Sequence, residues 1–135
     1  MKQTNTTPRE SIRSKIVAIV AAAGLTLALN AMADDAGHEL IEKAMKEGHK
    51  GKTSIVAKIK DGSASKADIE KLQKWYQEMS KVKPPRGDAE AWKKKTTHLA
   101  TLTGKIAEGN EKAKAAFGKA VNCKACHNAH KPEKK

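Results

Sequence analysis

The sequence predicts an all-α fold, an antiparallel up-down four-helix bundle, and three observations predict it. Apolar residues recur three or four apart in four successive segments. Capping or breaking residues bound each segment, and the connections between them are short. No stretch of useful length alternates apolar and polar residues as a strand would. At 135 residues the chain holds one ordinary domain at most.

The N-terminus reads as an address. Lys2, Arg9, Arg13 and Lys15 stand against a single acid, Glu10, and Ile16 to Leu29 form an apolar run that ends in Ala31-Met32-Ala33. A basic start, a short apolar run and an A-x-A exit describe a secretory signal peptide over residues 1–33, cleaved after Ala33. The run contains Gly24 and Thr26. It falls short of the roughly 20 apolar residues a retained membrane anchor needs. The domain proper is therefore expected over residues 34–135.

The first helical segment starts after Asp34-Asp35 and runs to about Lys60, with Ile41, Ala44, Met45, Gly48, Ile55, Val56 and Ile59 on its apolar side. Gly48 and Gly51 weaken it and allow a kink, and Asp61-Gly62 ends it. Ser65 caps the second segment in an arrangement close to a capping box with Asp68. Its stripe is Ile69, Leu72, Trp75, Tyr76, Met79 and Val82, and Lys83-Pro84-Pro85-Arg86-Gly87 stops it. Asp88 caps the third, which carries Trp92, Thr96, Leu99, Leu102, Thr103 and Ile106 and closes at Gly109. Asn110 opens the fourth, with Ala113, Ala116, Phe117, Ala120 and Cys123, continuing to about Ala129.

Composition narrows the function classes. Lys and Arg number 27 against 15 Asp and Glu, a formal charge of +12 that becomes +9 once residues 1–33 are removed. The lysines are spread between apolar residues, so the composition is not a disordered one. Two cysteines only three apart exclude a secreted disulfide scaffold. Gly51-Lys52-Thr53 lacks the earlier glycine and the preceding strand of a phosphate-binding loop. No Ser-His-Asp set or carboxylate pair stands out, and no enzyme activity is expected. Many core positions are Ala, Gly or Thr, so a bundle built on them is underfilled and something bulky is expected in it.

That expectation meets a specific motif, Cys123-Lys124-Ala125-Cys126-His127. Two thiols three apart on a helix can add to the two vinyl groups of one haem, and the adjacent imidazole then reaches the iron. On one continuous helix, residues 120, 123 and 127 share a face. A thioredoxin-like dithiol belongs beside a βαβ pattern, and a zinc site needs two further close ligands; neither accompanies this motif. Covalent attachment of haem c outside the cytoplasm agrees with an exported chain.

The stretch Leu99 to Lys131 that contains the motif resembles the C-terminal half of the class II c-type cytochromes, the cytochrome c′ family. Its members are four-helix bundles with the haem motif at the end of the chain. The resemblance implies haem thioethers at Cys123 and Cys126 and an axial iron ligand at His127. Where the family usually has an aromatic and then Arg, this chain has His130 and Lys131. A sixth ligand would come from the first helix, where Met45 stands. Low-spin members use such a Met and carry electrons, whereas high-spin members bind gases such as NO or CO at an open position. His49 and His38 are rival ligands.

The resemblance thus implies a periplasmic monohaem cytochrome that passes single electrons between redox partner proteins. Its lysines suit an acidic docking face on such a partner. Nucleic acid is not expected as a partner, and membranes are met only through transient redox partners. The family's habit of pairing through its first two helices implies a homodimer.

Overall fold

The computed structural model describes residues 34–133, and the expected signal peptide lies outside them. The described residues are helical with no strand. Helix α1 is α-helical over residues 34–43 and π-helical over Ala44–His49, where the Lys50 amide donates to the Met45 carbonyl at 2.9 Å. Helices α2 (Ile55–Asp61), α3 (Lys66–Met79), α4 (Ala89–Ala107), α5 (Glu111–Ala120) and α6 (Cys123–His130) follow. None is long and apolar enough to cross a membrane.

Capping chemistry accounts for most boundaries. The side chains of Ser54, Ser65, Asp88, Asn110 and Asn122 each accept an amide hydrogen bond from three residues on, which satisfies a donor the helix leaves free. Gly62 ends α2 in the left-handed region at φ +84. Two expected helices are broken. The first separates into α1 and α2 at Lys50–Ser54, and the fourth into α5 and α6 at Val121 and Asn122. Residues 120, 123 and 127 therefore do not lie on one continuous helix.

Helices α3 and α4 pack along each other in opposite directions. Near their connection the Trp92 indole donates to the Met79 carbonyl at 2.7 Å, and further along Gly104 lies against Gln73. Helix α5 packs on α4, while α1 and α2 pack on α3 and on each other. All four aromatic residues are buried: Trp75, Tyr76, Trp92 and Phe117. These rings, with Leu72, supply the bulk that the small core residues lack. The Thr96 and Thr103 hydroxyls are buried with them and donate to carbonyls of their own helix at 2.9 Å.

Gly48, one of the two glycines expected to weaken the first helix, sits where α1 crosses α3. An added Cβ would come within 2.9 Å of Leu72 Cδ1 and 3.6 Å of the Trp75 ring. The absent side chain is what lets α1 close onto α3.

Candidate functional site

The motif helix α6 is attached to the rest of the domain at its far end. His130 is 3% exposed and is the one buried residue of α6. Its ring stands edge-on to Trp92, with centroids 5.3 Å apart, and its Nδ1 lies 3.0 Å from the Arg86 carbonyl. The Arg86 guanidinium donates to the Asn128 carbonyl and pairs with Glu133 at 3.0 Å. His130 Nε2 is buried without a partner. His130 is thus a ring that docks the helix.

Gly87 makes this docking close. It has φ +85, and a Cβ there would collide with the Ala129 carbonyl oxygen and lie 3.2 Å from His130 Nδ1. We therefore expect Gly87→Ala to cost about 1–3 kcal/mol and to loosen α6. Thermal melting would check the cost, and quenching of Trp92 fluorescence would check the loosening. A variant as stable as the parent, with an unchanged Trp92, would show that this seam does not hold α6.

The rest of α6 faces outward. Cys123 and His127 are exposed, Cys126 is half-buried against the core, and both thiols are free. Asn122 starts the helix by accepting from the Ala125 amide at 3.0 Å, so Cys123 occupies its first turn. Burial pushes the Cys126 thiol pKa up, while the charge of Lys95 on α4 opposes the rise. Among the described residues no hydrogen bond engages the His127 ring. The motif offers two accessible thiols and an uncommitted imidazole, which is the donor set that covalent haem attachment requires.

Of the rival axial residues, Met45 is half-buried and packs against the core, and His38 is exposed beside Asp34, Lys83, Pro84 and Pro85. His49 is held differently. Its Nε2 lies 2.9 Å from the Tyr76 hydroxyl, and the two rings meet edge-on at 5.7 Å. Tyr76 is fully buried and leans on Phe117 at 6.5 Å. Burial, and then the charges of His127 and Lys60, together lower the His49 pKa from 6.5 to about 4. Burial likewise raises the Tyr76 pKa, and the nearby Cys123 and Cys126 add to the rise.

Tyr76 went unnoticed as a site residue because it reads as one more member of the α3 stripe. The available signal was its hydroxyl, which needs a partner when the ring is buried. A surface groove lined by Ile59, Lys60, Glu111, Lys114, Ala115 and Gly118 lies between α2 and α5 and includes no motif residue. No family model, curated protein or solved structure matches this chain.

Proposed function

We propose that this chain is an exported monohaem c-type cytochrome of class II architecture, a periplasmic carrier of single electrons. In that architecture the six helices serve as four antiparallel legs, two of them broken. The observation that carries the proposal is Cys123-Lys124-Ala125-Cys126-His127, set on a helix whose thiols are free and whose imidazole is uncommitted. Cys123 and Cys126 would hold a haem through thioethers, and His127 would ligate its iron. A further ligand would come from α1, where Met45 and His49 stand one turn apart. Bound haem supplies a one-electron iron couple.

The surrounding residues set the working conditions. The half-buried Cys126, packed against the apolar core, would hold the group close to the domain. Lys124 and Lys95 place positive charge around the motif, which attracts an acidic partner and speeds its encounter at low salt.

The test is expression of the full chain in a host that attaches haem in its periplasm. Denatured purified protein should show one haem per chain that organic extraction does not remove. The double variant Cys123→Ser, Cys126→Ser should keep its helical circular dichroism and lose the covalent pigment entirely. A chain that never acquires pigment in such a host, or a double variant that keeps it, would overturn the proposal. Broad high-spin bands with ready carbon monoxide binding would instead favour gas binding.

A further inference from the structure

We propose that Arg86, in the connection between α3 and α4, is a positioning residue for the motif helix: it closes the C-terminal end of α6 and so fixes the turn that carries His127. What that turn does rests on the haem reading above. How it is held rests on the contacts of α6 alone.

The sequence creates the need for such a residue. In a continuing α-helix the Asn128 carbonyl would accept the amide of residue 132, but residue 132 is proline and has no amide hydrogen. Proline also keeps the residue before it out of the helical region, and Lys131 is extended at φ −73 and ψ 133. The Lys131 amide still reaches the His127 carbonyl at 3.1 Å, so the helix runs out of donors one residue later. Such a terminal carbonyl takes its donor from outside the helix.

That donor comes from 42 positions away. One nitrogen of the Arg86 guanidinium donates to the Asn128 carbonyl, and the other pairs with Glu133 at 3.0 Å. A forked cation serves two such acceptors at once, and its charge suits the negative end of a helix. The contact is also returned. A carbonyl only accepts, so His130 Nδ1 donates to the Arg86 carbonyl at 3.0 Å, while its buried ring rests edge-on against Trp92. Arg86 is thus tied to α6 through both its side chain and its backbone.

Elsewhere α6 is lightly held, and only Cys126 and His130 among its residues are not exposed. Asn128 follows His127 directly, so release of the Asn128 carbonyl frees the backbone that aims the His127 ring. The ion pair with Glu133, whose side chain is 85% exposed, adds little.

The experiment uses the full chain purified from a haem-attaching host, as parent, Arg86→Ala, Arg86→Lys, Glu133→Gln and Pro132→Ala, and as the Arg86→Ala, Pro132→Ala double variant. Hydrogen exchange over α6, the midpoint potential and the ferric electron paramagnetic resonance are read at measured covalent haem content. Arg86→Ala should speed exchange in α6 about ten-fold or more, the effect of losing a hydrogen bond to a charged group. Exchange in α3 and α4 should stay as in the parent, while the potential and the resonance shift. Arg86→Lys should restore part of each readout, and Glu133→Gln should behave as the parent. Pro132→Ala lets the helix run on and offers Asn128 an amide, so Arg86→Ala should have a smaller effect in that background. If Arg86→Ala does not accumulate, Arg86→Lys with and without Pro132→Ala makes the same comparison. Unchanged α6 exchange, a rise spread equally over α3 and α4, or an undiminished effect beside Pro132→Ala would each overturn the proposal. Faster α6 exchange with an unmoved potential and resonance would overturn the positioning of His127. A parent without covalent haem would overturn the haem reading, and the exchange data would still decide whether Arg86 closes α6.

Discussion

Phe117→Ala is expected to remove about 3–5 kcal/mol of folding stability, the usual cost of deleting a fully buried phenyl ring. Phe117 has no exposed surface, and its ring leans on Tyr76 at 6.5 Å. For a domain of this size each kcal/mol lowers the melting midpoint by about 4–8 °C, so a fall on the order of 15 °C or more should be seen by circular dichroism. Against a stability margin of typically 5–15 kcal/mol this is a large share. The damage should also spread, because Tyr76 loses its backstop and His49 loses its own in turn. A double-mutant cycle of Phe117→Ala with Tyr76→Leu should give a coupling of about 0.5–1.5 kcal/mol, as for other aromatic pairs. A melting shift of a degree or two would mean that the phenyl ring is not a central member of the core.

The second large effect is on pH dependence. In the haem-free chain, His49 should contribute up to about 3 kcal/mol of stability that is present above pH 6.5 and lost as pH falls to about 4. The sign follows from burial. The folded ring stays neutral down to about pH 4, whereas the unfolded ring takes up a proton below about 6.5. Between those values protonation favours the unfolded state. Exposed carboxylates held low by lysine neighbours, such as Glu47 beside Lys71, act in the same direction at lower pH. The His49 part is therefore the difference between parent and His49→Gln. Urea unfolding at pH 7 and pH 5 should show a steeper fall for the parent than for the variant. Parallel falls would mean that the ring titrates as it does in water.

Much of the fold was legible because helix signals are local. Ser65, Asp88 and Asn110 mark their helix starts within three residues, and the hydrogen bonds they form in the structure are the ones their positions predict. The stripe from Ile69 to Met79 is buried as its spacing implies. The breaks were harder to read. Lys50–Ser54 interrupts a pattern whose apolar period continues across it, and Gly48 and Gly51 signalled weakness without showing which would act. Asn122 is a capping residue in the ordinary sense, yet it stands inside what reads as one continuous stripe from Ala113 to Cys123. Four aromatic residues from three helices are buried in the core as their stripes imply.

What this sequence determined by itself is its all-helical character, most of the helix limits and the presence of Cys123, Cys126 and His127 in attachment spacing. Those depend on residues within one or two turns of each other. The tertiary structure alone decided the environment of each candidate ligand. His49 meets a tyrosine 27 positions away, and His130 docks on a carbonyl 44 positions away. A histidine's chemistry depends on its burial and its hydrogen-bond partner, and for both of these residues only helix packing supplies them. Met45 packs against the apolar core, and His49 against Tyr76.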